Sequence, residues 1–417
     1  MRIVKLTPAV AKRLLHARRE HDDKALRVAE QIIEDIRRRG DKALYAWAKK
    51  LDGVDLQNDG PWIPENEIRA ARKQVSSGFL HAVEHAARNV RRVAEKQLPK
   101  SWIIEVEPGV KIGQVVRPID SVGCYIPGGQ FSLLSTLVMT VVPAIVAGVS
   151  QIQVTCPRPN TAVLAAASLL GVTRIARIGG AQAIAAFAYG TARVPPVEKI
   201  FGPGNRYVTA AKQIVSNDCA IDLPAGPTEA VVLAANGNPR WVAADLLAQA
   251  EHAADAGSFF VTTSTRMARI VQAEVLRQLK QLPQSNPAHA SIERAGAILV
   301  ATSLQAACEF MNRFAPEHLS LPDDGAALVK QIHSAGTVFM GPWAAQPLGD
   351  YASGSNHVLP TGGWARRRGG LSTADFVKCI SVQSIGRRGF AKLADDVQTL
   401  ARAEGLLAHA NAVEIRR

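Results

Sequence analysis

Aromatic residues are scarce in this chain of 417 residues, at 5%. Too few are present to interleave with basic residues into a platform for stacked nucleic-acid bases. Cysteine is sparse as well. Cys124, Cys156, Cys219, Cys308 and Cys379 are scattered, odd in number and without a CxxC pair. That pattern speaks against a disulfide framework and for a reducing, cytoplasmic setting. The opening "MRIVKLTPAVAKRLL" lacks the apolar core of a signal peptide. The most apolar run, "FSLLSTLVMTVVPAIVAGV", contains Pro143 and several hydroxyl side chains and lies between strand-like segments. It reads as a buried helix, not a membrane span. Gly and Pro are dispersed, so no long disordered segment is expected. A GxGxxG dinucleotide fingerprint is missing too.

What is present is ordinary globular material, 47% apolar and 20% charged. It is enough for two or three packed domains. The net charge is +13, but basic residues mix with acids along helical stretches such as "RRRGDKALYAWAKKLD". A solvated basic surface explains this better than a nucleic-acid track.

Residues 1 to about 100 carry helical periodicity, as in "ALRVAEQIIEDIRRRG" and "FLHAVEHAARNVRRVAEKQ". From about 110, short β-type runs ("SVGCYIP", "QIQVTC", "TRIARIG", "KIFG", "AIDLP") alternate with helices such as "AQAIAAFAYG" and "NRYVTAAKQIVS". The alternation restarts at "EAVVLAA" and continues through "SFFVTTS", "AILVATS", "HLSLP" and "TVFMGP". Strands alternating with helices imply βαβ units and parallel sheets. The expected fold is α/β, with two parallel-sheet domains, a helical N-terminal segment and a mostly helical C-terminal tail after about residue 370.

Several clusters bear chemistry. Gln249 and His252 lie three apart near the end of the helix "NPRWVAADLLAQAEHAA", which Asn238 caps and Pro239 begins. Positions i and i+3 share a face and can reach one metal ion; a helix-end His bonded to a carbonyl is the bland alternative. In "APEHLSL", Glu317 and His318 form a candidate acid/base pair, or a solvent-facing turn. Adjacent strand residues point to opposite faces, so both serve one site only at a bend, which Pro316 makes available. "GDYASGSNHVLPTGG" is dense in small polar residues, with Asp350 a hard anionic ligand candidate, and reads as a site-lining loop or a hairpin loop of Asx turns. The glycine loops "YIPGG" (Tyr125 to Gly129), "IGGAQ" and "FGPGN" follow strands, where a dinucleotide diphosphate would sit on helix amides, or where tight turns are simply needed. His81 and His85, four apart on a helix with Glu84 and Arg88, read as surface residues, and Cys124 as a core thiol.

Taken together, "SVGCYIPGG", "IGGAQAIAAFAYGT", "KIFGPGNRYVTAAK", "AIDLPAGPTEAVVLA", "ADLLAQAEH", "APEHLSL", "GDYASGSNHVLPTGG", "LSTADFVK" and "AHANAV" resemble, in order and spacing, the histidinol dehydrogenase family. The resemblance runs from about residue 20 to about residue 413. It implies oxidation of L-histidinol to L-histidine with two NAD+, by a zinc-dependent homodimer with one Zn2+ per subunit. It further implies Gln249, His252, Asp350 and His409 as zinc ligands, His409 arriving from the partner subunit on a swapped tail. His318 would be the base for the alcohol and Glu317 the base that activates water. Thr228, Glu404, His318, Asp350 and the ligands would contact substrate; Tyr125, Gln182 and Asn205 would contact NAD. The domains implied are an arm over 1–20, a zinc and catalytic domain over 21–120 and 229–370, an NAD domain over 121–228, and a swapped tail over 371–417. No membrane or nucleic-acid partner is implied.

The chain departs from the family pattern in three places. Thr228 stands where Ser is usual, "AEH" runs on into Ala-Ala-Asp, and "WARRRGG" (Trp364 to Gly370) is unusually basic. Related dehydrogenases oxidise other alcohols, including sulfonated diols, which a basic loop would suit. Glu404 points the other way, since a carboxylate welcomes an imidazole and repels a sulfonate.

Overall fold

The computed structural model describes every residue except 19–21, 129–132, 225 and 324, so Gly129 of the first glycine loop lies outside the described residues. Two parallel sheets form the body. The first has five strands, in the order Ile175–Ala176, Gln151–Thr155, Ser121–Tyr125, Lys199–Phe201 and Ala220–Ile221. The second has six, in the order Arg2–Lys5, Ala297–Val300, Gly257–Thr262, Glu229–Leu233, His318–Leu321 and Thr337–Met340. The central strands Ser121–Tyr125 and Glu229–Leu233 are buried along their whole length. That is why they read as continuous apolar runs without alternation.

Each sheet carries helices on both faces. On the five-stranded sheet, Ser77–Gln97, Leu134–Ala147 and Thr161–Leu169 enclose one core, and Asp23–Arg39, Gly180–Tyr189 and Arg206–Val215 enclose the other. On the six-stranded sheet, Pro239–Ala250, Thr265–Leu279 and Ala288–Arg294 cover one face, and Pro8–Ala17 and Leu304–Phe314 the other. The expected α/β class with two parallel-sheet units is what the chain forms. Leu134–Ala147 is the buried helix expected from the apolar run; it lies between a sheet and Ser77–Gln97, which accounts for apolar residues all around it. No helix among the described residues is long and apolar enough to cross a membrane.

Two expectations need correction, and a third needs an addition. The segment 1–20 is not a free arm, because Arg2–Lys5 is the edge strand beside Ala297–Val300 and Pro8–Ala17 packs on the same sheet. Helices within 21–120 sit with the 121–228 region instead of 229–370, because their apolar stripes bury against the five-stranded sheet. The tail after residue 370 is mostly helical, as expected, but a strand precedes its helices. Val377–Ile385 is a strand, paired antiparallel with Val110–Pro118, which pairs in turn with Trp102–Glu107. The alternation in "VKCISVQSI" and the turn in "EVEPGVKIG" carry that sheet. Its edge strand Trp102–Glu107 is exposed along its whole length, with Ile103 65% exposed; separately, Leu407 in the tail helix Leu407–Glu414 is 71% exposed.

Candidate active site

A cleft of about 640 Å³ opens between the two parallel sheets. The five-stranded sheet supplies the loops that follow its strands, including Pro127, Gly202–Asn205 and Asp222. Gly202 is required there. Its φ is +111°, and a Cβ would collide with the backbone of Tyr125. Its N–H donates to Asp222 Oδ2 at 2.7 Å, and Asp222 is ion-paired with the buried Lys212. A doubly wound sheet binds ligands at the carboxyl ends of its strands, where the strand order reverses. Ser121–Tyr125 and Lys199–Phe201 flank that point here.

The six-stranded sheet supplies residues at the entrances of its strands: Thr228 before Glu229–Leu233, Glu317 and His318 at the start of His318–Leu321, and His252 before Gly257–Thr262. Glu317 and His318 serve one site because the chain bends sharply ahead of them. Ala315 ends the helix Leu304–Phe314 with φ +49°, a left-handed conformation that costs a non-glycine residue about 1 kcal/mol. Pro316 follows. Gly336 lets the neighbouring strand approach, since a Cβ there would stand 2.5 Å from the Glu317 carbonyl oxygen.

Glu317 is buried, and its Oε2 accepts from the Thr228 hydroxyl at 2.6 Å and the Glu229 N–H at 2.9 Å. Burial lifts its carboxyl above the usual range against the pull of His318 and Thr228. His318 Nδ1 lies 3.4 Å from the Glu229 carbonyl oxygen, which assigns the proton to Nδ1. Nε2 has no hydrogen-bond partner and stands 3.6 Å from Asp350 Oδ1. Burial alone would lower the His318 pKa; the Glu317 and Asp350 carboxylates outweigh it and raise it. Burial likewise opposes ionisation of Asp350, but the imidazoles of His318, His357 and His252 prevail and hold it below the usual carboxylate range.

His252 Nδ1 bonds the Ala248 carbonyl oxygen at 3.0 Å, which leaves Nε2 as the nitrogen free to ligate. Of the two alternatives for the Gln249/His252 pair, the helix-end His bonded to a carbonyl is the one observed, and that bond orients the ring. Gln249 is fully buried, with Nε2 on Thr228 at 2.8 Å and Oε1 accepting from Gln346 at 2.6 Å. One imidazole, one carboxylate and one amide oxygen make a donor set that fits zinc but falls short of closing it. Among the described residues, no group of three His, Cys, Asp or Glu converges on one point. His409 and Glu404 are exposed in the tail and do not line the cleft.

On the opposite wall, Asn205 lines the cleft and caps Arg206–Val215, its Oδ1 accepting from the N–H groups of Tyr207 and Val208. Tyr125 and Gln182 do not line it. The Tyr125 hydroxyl accepts from the Gly180 N–H at 3.1 Å, and Gln182 donates to Asp52 at 2.9 Å. Asp52 also accepts from the Gly179 N–H at 3.0 Å. Side chains of the chain itself thus hold the first amides of both helices expected to receive a diphosphate.

Other candidates resolve simply. His81 and His85 are exposed, and Cys124 is buried with its thiol pushed up to about 12. In the polar loop, Asp350 and His357 line the cleft, whereas Ser353 bonds Ser355 and Asn356 bonds the Met139 carbonyl. The basic loop does not aim into the cleft. Arg367 stacks on Trp364, and Arg368 binds the Asp222 carbonyl and the Asp375 carboxylate. Sequence reasoning missed Gln346, although a polar residue four before Asp350 on one helix was a usable signal. It also missed Arg18, which pairs with Glu229, the residue whose N–H bonds Glu317, and stacks on Phe314.

An α/β enzyme with acid–base chemistry at an inter-sheet cleft is the class that this fold and site define. A family model described as histidinol dehydrogenase matches residues 15–417. The histidinol dehydrogenase of Aquifex aeolicus is 44% identical over 93% of this chain and 91% of its own length. That of Oceanobacillus iheyensis is 45% identical, covering 93% and 92%. The crystal structure of histidinol dehydrogenase from Elizabethkingia anophelis superposes with a TM-score of 0.93 at 37% identity, covering 100% of this chain and 98% of that one. This chain belongs to the histidinol dehydrogenase family.

Proposed function

We propose that the protein is a cytoplasmic, homodimeric oxidoreductase that converts L-histidinol to L-histidine through the aldehyde, closing histidine biosynthesis. The observation that carries this reading is the Glu317–His318 pair held at one bend inside the cleft of a chain from this family. Two NAD+ would each accept one hydride. Gln249, His252 and Asp350, with His409 of the partner subunit, would hold zinc, which orients the substrate's imidazole and amine when bound. Glu404 of the partner subunit would accept from the substrate imidazole.

The first oxidation needs a proton acceptor for the alcohol as hydride leaves carbon. His318 Nε2, free of protein partners, takes that proton. Oxidising the aldehyde first requires water. Glu317 takes one proton as water adds to the carbonyl, while the protonated His318 returns its proton to the carbonyl oxygen and completes the hydrate; Oε1 is the Glu317 oxygen for this, because Oε2 is bound to Thr228 and Glu229. The hydrate then loses its hydride, and His318 again receives the hydroxyl proton. Thr228 lines the cleft beside both bases. Asn205, with Tyr125 and Gln182 behind it, would shape the NAD side.

The alternative is a sulfonated or plain diol as substrate. Arg366 donates to the Gly363 carbonyl oxygen, Arg367 stacks on Trp364 and Arg368 binds Asp222 and Asp375, and none of the three lines the cleft, so the feature that favoured an anion is directed elsewhere. The test is NADH formed per L-histidinol consumed by zinc-loaded protein, with both diols run alongside. Two per histidinol with inert diols is expected; turnover of a diol alone would overturn the substrate.

A further inference from the structure

Gln249 can serve a metal only through its oxygen, since the amide nitrogen carries protons and has no free lone pair. Which end faces the ligand site is therefore a structural question, and four side chains answer it. Glu317 Oε2 lies 2.6 Å from Thr228 Oγ1. A carboxylate oxygen only accepts, so the single Thr228 proton goes to Glu317. Thr228 Oγ1 must then accept from its other neighbour, which turns Gln249 Nε2 toward it at 2.8 Å. Oε1 is left facing away, where Gln346 Nε2 donates to one of its two lone pairs at 2.6 Å. Oε1 thus meets the helix whose same face carries Asp350, and no second partner for it is present among the described residues.

We infer that Thr228 and Gln346 are positioning residues that set the amide polarity of Gln249, so that it presents oxygen to the metal. Gln346 has a second effect. It begins the helix Gln346–Tyr351 that carries Asp350, one turn further on. Its bond to Gln249 therefore ties the helix bearing one ligand to the helix end bearing two others. Gln346 and Gln249 are both buried, so an amide left unpaired at either position has no water to turn to. The methyl of Thr228 restricts its side-chain rotation, which keeps the hydroxyl between its two partners.

The inference rests on the zinc reading, and the experiment separates the two. Full-length dimer is stripped of metal, and Zn2+ affinity is measured by competition with a chromophoric chelator; the Co2+ absorption spectrum is recorded alongside. Thr228→Val and Gln346→Met should each weaken Zn2+ binding by about 10- to 100-fold, the usual cost of losing an outer partner of a ligand. Both should alter the Co2+ spectrum, while Thr228→Ser restores affinity and spectrum. Parent affinity in Thr228→Val and Gln346→Met, with loss in a His252→Ala control, overturns the inference and leaves the zinc site standing. Parent affinity in His252→Ala removes the zinc assignment, and the inference with it. Should Thr228→Val fail to fold, Gln346→Met decides alone.

Discussion

The two walls of the cleft are built from opposite ends of their sheets. The five-stranded sheet presents the carboxyl ends of its strands, and therefore the N-termini of the helices that follow. Asp23–Arg39, Leu134–Ala147 and Arg206–Val215 all begin at this wall. The six-stranded sheet presents strand entrances, and therefore the C-termini of the helices that precede them. Pro239–Ala250 and Leu304–Phe314 end here, releasing His252 and the Glu317–His318 pair into the cleft. Helix N-termini carry partial positive charge and C-termini partial negative charge. One wall thus favours anionic groups and the other favours cations, the division that the proposed dinucleotide and the proposed metal with its cationic substrate would need. The difference comes from chain direction and needs few charged side chains.

The largest expected effect comes from removing the tail, most of which lies beyond the two walls although Phe376 stacks on Phe201 in the core of the five-stranded sheet. Truncation after Leu371 deletes the strand, both tail helices, Glu404 and His409, and should yield a monomer that holds no zinc. Sedimentation and metal analysis measure this, and a truncated dimer with full zinc content would contradict a tail that completes the partner's site.

Next comes Glu317→Gln, a change confined to the cation-favouring wall. General-base catalysis is typically worth about 10²–10⁴-fold. Oxidation of histidinal should fall within that range and by more than oxidation of histidinol. Equal losses with the two substrates would refute the separate roles of Glu317 and His318.

The smallest effect is the most direct reading of the two walls. His318 stands on the six-stranded side with its pKa raised above the ordinary 6.5. His357, bonded through Nε2 to Thr136 at the start of Leu134–Ala147, has its pKa lowered, mainly by burial. The signs of their stability contributions are opposite. The His318 contribution is fully present below 6.5 and is lost as pH rises through its raised value. The His357 contribution is present above 6.5 and is lost as pH falls through its lowered value. NMR titration of the metal-free protein should show the two rings titrating on either side of 6.5. Coincident midpoints would remove the electrostatic contrast.

Local patterns were readable where local forces decide. Asn238 and Pro239 begin a helix as their residue types require, and Pro316 stands at a real bend, although Ala315 supplies the unusual torsion without any mark in its residue type. The antiparallel sheet was harder. Val377 pairs with Pro118 across most of the chain, and only the alternation within each strand hints at a partner. Arg2–Lys5 is too short to announce itself, and its neighbour Ala297–Val300 is far away in sequence. In the site, Gln249, His252, Glu317, His318 and Asp350 share one neighbourhood, yet spacing alone could not have joined them, because three separate crossovers bring them there. The roles of Tyr125 and Gln182 were less legible. Whether a side chain faces a cleft or the inside of its own loop depends on Asp52, from a different part of the chain.

That carboxylate has a kinetic consequence. The Tyr125 hydroxyl takes the first amide of Gly180–Tyr189, Asp52 takes that of Gly179 just before it, and Asn205 takes early amides of Arg206–Val215. At these two helices an arriving dinucleotide would find N–H groups already taken and would be held more loosely than in a fingerprint fold. Affinity differences among related complexes are carried mostly by dissociation rates, so loose holding means short residence. On the proposed reading, a reaction that takes two hydrides from one bound substrate must change its nicotinamide midway without losing the aldehyde. The cleft is suited to that rhythm, with a quick turnstile on one wall and a slow grip on the other.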